Sequence, residues 1–152
     1  MNAEVKLIEL ALELPPPPKP VAVYVPVVLV GDLAYVSGHG PLLPDGSFIT
    51  GRVGADLDKK AGYAAARQTG LAILATLRNA LGSLDRVRRV VKIFGMVNCT
   101  PEFAEHPAVI NGCSELFADV FGPEIGIATR SAVGMVSLPL GTAVEIEAIF
   151  QI

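Results

Sequence analysis

A chain of 152 residues predicts one domain, long enough to bury a core without disulfide or metal staples. Apolar residues make up 51% and charged ones 18%, with a formal net charge of −3, a balance that excludes any general attraction to nucleic acid or anionic lipid. Charge this sparse predicts that part of the surface is covered by an oligomeric partner.

Cys99 and Cys113 make no disulfide framework, and no paired Cys/His spacing suggests zinc, so reduced buried thiols and no metal are expected. The start, Met1-Asn2-Ala3-Glu4-Val5-Lys6, carries acid early and lacks a signal-peptide profile. No apolar run reaches the roughly 18 residues of a membrane span. A cytoplasmic protein without membrane contact is the expectation.

Residues 3–13 read as a short helix with Val5, Ile8 and Leu12 on one side. Pro15 to Pro18 end any helix and favour an extended connector, a stiff spacer that lays the first segment against the body. The chain therefore divides into residues 1–20, a helix and proline-rich connector, and residues 21–152, the main domain. Val21 to Val30 and Leu33 to Ser37 are β-rich runs around a Gly31-Asp32 hairpin signal, and Pro26 demotes its position to an edge or a bulge. Gly38-His39-Gly40-Pro41 and Pro44-Asp45-Gly46 mark loops, and their glycines make no phosphate cradle.

Residues 57–81 read as the main helix, capped by Asp56 or Asp58 and terminated by Gly82. Lys60, Arg67 and Arg78 form one polar edge, while Ala64, Ala65, Ala66 and Gly70 would let the helix lie close to a sheet. Arg88 to Asn98 reads as a buried strand. The cations at its start, Arg86, Arg88, Arg89 and Lys92, read as a solvated strand end rather than a phosphate or RNA patch. Pro107 opens a second helix with a stripe of Val109, Ile110, Cys113, Leu116, Phe117 and Val120. Asn111 lies off that stripe, and Gly122-Pro123 stops the helix. Two strands, Thr129–Met135 and Val144–Ile149, complete the chain. The pattern predicts an α+β fold with both helices on one sheet face, the other face needing a second subunit.

The last two strands carry the charges that call for an explanation. Arg130 sits in one apolar strand, and Glu145 and Glu147 sit in the next; buried charge costs free energy unless something pairs with it. Arginine offers a planar fork of donors to a carboxylate or phosphate, and a structural ion pair with Glu145 or Glu147 is equally open. A tight hairpin centred near Leu140 would hold Arg130 and Glu145 about 17 Å apart at ~3.3 Å per residue. Either the strands do not form that hairpin, or Arg130 meets Glu145 across a subunit boundary, in a cleft fit for a small molecule. Tyr24 reads as edge packing. His39 has the chemistry of a general base but no carboxylate evidently placed to orient it. No nucleophile–base–acid triad is visible.

Over roughly residues 21–151 the chain resembles the RidA/YjgF family, also labelled L-PSP endoribonuclease. The resemblance is carried by Leu33-Ala34-Tyr35-Val36-Ser37-Gly38, Ala65-Ala66-Arg67-Gln68-Thr69, Val90-Val91-Lys92, Thr129-Arg130-Ser131-Ala132-Val133, Leu138-Pro139 and Val144-Glu145-Ile146-Glu147-Ala148-Ile149. It implies a chorismate-mutase-like α+β fold, one mixed sheet with two main helices on one face, assembled as a homotrimer with clefts between subunits. RidA hydrolyses reactive imines and enamines to keto acids and ammonia without metal or cofactor. By this resemblance Arg130 would clamp the substrate carboxylate and Glu145 would position or activate water. Tyr24 and Asn111 would line the pocket, with a backbone donor near Gly38. The sequence departs from RidA at Ala132, where cysteine is common, and at His39, where glutamine is usual. Residues 1–20 have no RidA counterpart, which marks a divergent branch with an N-terminal extension.

The expected function is hydrolytic deamination of imine or enamine intermediates at an inter-subunit cleft, with a small carboxylate as substrate. A non-catalytic module that binds a small carboxylate in the same cleft is the alternative. RNA cleavage ranks below both, because the net charge and the lack of an aromatic stacking surface disfavour nucleic acid as a partner.

Overall fold

The computed structural model describes residues 2–152. Five strands, β1 (Val27–Val30), β2 (Leu33–His39), β3 (Arg89–Asn98), β4 (Thr129–Met135) and β5 (Val144–Gln151), form one mixed sheet in the order β1-β2-β5-β3-β4. Two main helices, α2 (Lys59–Leu81) and α3 (His106–Phe121), cover one face. A shorter helix, α1 (Ala3–Glu9), packs beside α3, and one turn, α4 (Pro123–Gly126), follows it. The α+β expectation, with a mixed sheet and both main helices on one face, describes this architecture.

The last two strands are not a hairpin. β3 lies between them, parallel to β4 and antiparallel to β5. β3, α3 and β4 form a crossover unit, since parallel neighbours need a connection long enough to return over the sheet. The β4–β5 segment then bridges the end of β3 through a 3-10 turn, Pro139–Gly141, with Leu140 at φ 59° and Gly141 at φ 69°.

β1 is shorter than its apolar run. Residues 21–26 lie outside the strand, and Pro26 has no N–H to give a ladder, though its carbonyl accepts from Ser37 N at 2.9 Å. The turn to β2 is the two-residue Gly31-Asp32 connection, with Gly31 at φ 60°.

α1 is shorter than expected and turns another face inward. Ala3 and Leu7 are buried, while Val5 and Ile8 are exposed. It ends because Ala11 enters the left-handed region, with Leu12 N donating to Leu7 O (2.9 Å) and Ala11 N to Ile8 O (3.0 Å). Glu4 fastens it to the body by pairing with Arg78 at 3.0 Å and accepting from Leu84 N at 2.9 Å.

α2 is capped by Asp58, which accepts from Ala61 N at 2.7 Å, and closed by Gly82 at φ 81°. Asp56 instead holds Arg52 N at 2.9 Å. Gly70 faces α3 rather than the sheet: a Cβ there would meet Leu116 Cδ2 at 2.8 Å. From the other side Gly112 lets α3 approach the backbone of Tyr63, so the missing side chains set the helix–helix distance. The α3 stripe read from sequence is fully buried, and Phe117 meets Phe150 of β5 edge to face with centroids 5.6 Å apart. No helix among the described residues is long and apolar enough to cross a membrane.

Candidate functional site

Strand alternation decides which side chains leave the core. Along β5, Val144, Ile146, Ala148 and Phe150 are buried beneath the helices, so Glu145, Glu147 and Ile149 point to the other face. Their cross-strand partners there are Met96, Phe94 and, on β2, Tyr35.

β2 bends to meet Glu145. Val36 pairs with Ala148 but His39 with Ile146, so an extra residue bulges out at Ser37-Gly38. The bulge puts Gly38 directly over Glu145, where a Cβ would lie 2.1 Å from Oε1. Glu145 is half-buried, and no ion pair or side-chain hydrogen bond engages it among the described residues. Burial pushes its carboxyl above the ordinary glutamate range, and the neighbouring Glu147 charge adds to the shift.

A cavity of about 490 Å³ opens over this carboxylate. Tyr24, Gly38, His39, Glu145, Glu147 and Leu140 are among its walls. Tyr24 lies in the irregular segment before β1, not in a strand. The segment is held near β2 by Ser37 Oγ, which donates to Val25 O at 2.6 Å.

His39 is buried at the cavity wall, with Nδ1 2.6 Å from Ser37 O and Nε2 2.7 Å from Thr76 Oγ1. A carbonyl only accepts, so Nδ1 carries the proton and the Thr76 hydroxyl donates to Nε2. Burial pushes the imidazole pKa down, outweighing the Ser37 carbonyl. With both nitrogens engaged, His39 ties the bulge to α2 and is not placed as a free base.

Arg130 is elsewhere. It pairs with Ile93, a buried residue on the helix side of β3, whereas Glu145 pairs with Met96 on the open side. Its guanidinium donates to Ser114 Oγ at 3.0 Å and to Pro107 O at 3.2 Å, both on α3. Asn111 sits four residues after Pro107 and three before Ser114, so helical spacing puts it on the same face. Neither partner of Arg130 is a carboxylate, and no ion pair involves it among the described residues. The sequence-derived candidates thus form two groups in one chain: Tyr24, Gly38 and Glu145 around the cavity, and Arg130 with Asn111 at the edge strand β4. The intramolecular Arg130–Glu145 or Arg130–Glu147 ion pair, open from sequence, is not formed.

The basic residues near β3 do not form one patch. Arg86 donates to Leu81 O at 3.2 Å and Arg89 to Glu124 O, while Lys92 faces a separate hollow beside Tyr35 and Glu147. Among the described residues no three His, Cys, Asp or Glu side chains converge as a metal site. Sequence reasoning missed the wall built by Pro18–Ala22 and the exposed Leu140 at the cavity. The signal for Leu140 was its place between Pro139 and Gly141; nothing local signalled where the proline connector would lie.

The model of the family described as "YjgF/chorismate_mutase-like, putative endoribonuclease" matches residues 4–148, beginning inside α1. Protein TCP17 of Trypanosoma cruzi is 43% identical over 143 residues, covering 94% of this chain and 89% of TCP17. The Agrobacterium tumefaciens protein Atu1372, of unknown function, superposes with a TM-score of 0.89 at 43% identity over 99% of this chain and 91% of its own. A "putative endoribonuclease" of Shewanella oneidensis superposes with a TM-score of 0.95 at 30% identity over the whole of both chains. A family model over nearly the whole chain, joined to full-length relatives and a shared chorismate-mutase-like α+β fold, gives one conclusion: the chain belongs to the YjgF family, also called RidA or L-PSP.

Proposed function

We propose that the protein hydrolyses reactive imines or enamines of amino acids to keto acids and ammonia, in a homotrimer whose clefts take Glu145 from one subunit and Arg130 from its neighbour. One observation carries this reading. Among the described residues Arg130 is held only by neutral partners on one sheet face, and Glu145 by no cation on the other. An arginine free to hold an external carboxylate and a carboxyl group free to exchange a proton, which one chain keeps apart, are what a shared cleft for a small carboxylate requires.

In this reading Arg130 clamps the substrate carboxylate, with Asn111 and Tyr24 lining the site and the Gly38 backbone completing it. Protonated Glu145 delivers its proton to the β-carbon of an enamine, giving the iminium. The resulting carboxylate takes a proton from water as the oxygen attacks the iminium carbon. The carbinolamine hydroxyl proton then passes to the nitrogen as the C–N bond breaks, releasing ammonia and leaving the keto acid. Enamine and water are consumed, keto acid and ammonia are formed, and Glu145 ends as it began. The substrate is intrinsically reactive, so an anchored carboxylate, a held water and one proton shuttle suffice.

The test is ammonia release from a panel of imino acids generated in situ by an amino-acid oxidase, wild type beside Arg130→Ala. Activity in wild type that is lost in the variant is expected. A wild type inert across the panel overturns the reading and leaves a carboxylate-binding module. Ala132, two residues from Arg130 on the same face of β4, is the departure from RidA that favours that second reading. Keto acids would then raise the melting temperature without turnover.

A further inference from the structure

The connector between α1 and β1 does more than join them. Pro18, Lys19, Pro20, Val21 and Ala22 wall the cavity that holds Glu145. Five of the six residues from Pro15 to Pro20 are proline, whose fixed φ sets an extended backbone before any ligand arrives. Both ends of this strap are fastened. Pro15 is buried next to the α1 anchor, and at the far end the Val25 and Pro26 carbonyls accept from the Ser37 hydroxyl and N–H. A wall ordered in advance costs little further entropy on binding.

Among the described residues Lys19 is the only cation on that wall and in the cavity lining. It is exposed, and it makes no ion pair with Glu145, Glu147 or any other carboxylate among the described residues. The cavity is therefore bipolar, with two carboxylates on the β5 side and an ammonium on the strap. Its volume of about 490 Å³ leaves room for more than a three-carbon acid.

We infer that Lys19 receives a second anionic group at the distal end of the ligand, so that the cleft selects 2-keto and 2-imino acids with an acidic side chain over neutral ones of equal length. This rests on the reading of the cavity as a carboxylate site, in which Arg130 of a neighbour holds the first carboxylate.

The experiment is calorimetric titration of the full chain with 2-oxoglutarate and 2-oxopentanoate, keto acids of equal length that differ in the second carboxylate. Wild type should bind 2-oxoglutarate about fivefold more tightly, the scale of one solvent-exposed ion contact. The preference should vanish in Lys19→Gln, invert in Lys19→Glu and persist in Lys19→Arg. Equal binding by wild type, a preference that survives Lys19→Gln, or failure of both acids to bind overturns the inference. The readout is binding, so it separates from the deaminase test. A wild type inert on imines with a Lys19-dependent preference removes the deaminase and keeps this assignment; an active deaminase without the preference does the reverse.

Discussion

Arg130 and Glu145 stand on opposite faces of one sheet, with β3 between their strands. No side-chain rotation within a chain joins them, because the faces are set by strand alternation. If Arg130 serves an external carboxylate, Arg130→Ala should lower turnover by about 100-fold or more, the scale of losing a charged anchor at a reacting centre. Arg130→Lys should recover little, since a point charge cannot reproduce the planar fork. Steady-state deamination kinetics of the three proteins check this, and full activity in Arg130→Ala would remove the residue from the site.

Gly38 sets where Glu145 rests. A Cβ at residue 38 collides with the far end of a flexible side chain rather than with backbone, so Gly38→Ala should fold and displace the carboxylate. The expected outcome is a fall in kcat of about tenfold or more with the melting temperature nearly unchanged, since small misplacements of a reacting group are costly. An unchanged kcat would show that the carboxylate position is immaterial.

The raised pKa of Glu145 has two readable consequences. Burial is the larger cause and Glu147 the second, so Glu147→Gln should lower the pKa and move the alkaline limb of kcat toward acid. For stability the sign runs against the charged form. Folded Glu145 holds its proton above the pH at which the unfolded residue releases it, so stability falls as pH rises from the ordinary glutamate range through the folded value. Glu145→Gln removes that loss. It should melt higher than wild type at neutral pH and no higher at acid pH, as thermal unfolding across pH will show.

His39 has the opposite linkage. Its folded pKa is depressed, so below the ordinary histidine range the unfolded chain takes up a proton that the folded chain refuses. The stability present near neutral pH is lost as pH falls through that range. His39→Gln, the residue usual in RidA, should flatten this part of the melting profile while its amide retains donors and acceptors for Ser37 and Thr76. An unaltered profile would exclude His39 as its source.

Local features were legible in the sequence where local chemistry sets them. Asp58 and Gly82 bound α2, the apolar stripe buries α3, and Gly31-Asp32 turns β1 into β2. Strand order was not, because β4 and β5 adjoin in sequence while β3 takes the place between them through long-range pairing. The seven residues of α1 are too few for periodicity to choose a face, and Ala3 and Leu7 won over Val5 and Ile8. Glu145 and Arg130 announced themselves as charges in apolar strands. The Gly38 contact and the strap at Lys19 are tertiary juxtapositions that no spacing encodes.

The shared cleft is tested most directly by mixing subunits. Arg130→Ala and Glu145→Gln homomers should each be inactive. Co-assembled in equal amounts, they should regain about a quarter of wild-type activity, because about one cleft in four then draws an intact arginine and an intact glutamate from different neighbours in a closed ring. Mixed assemblies that stay as inactive as either parent, with exchange verified by mass spectrometry, would contradict a site shared between subunits.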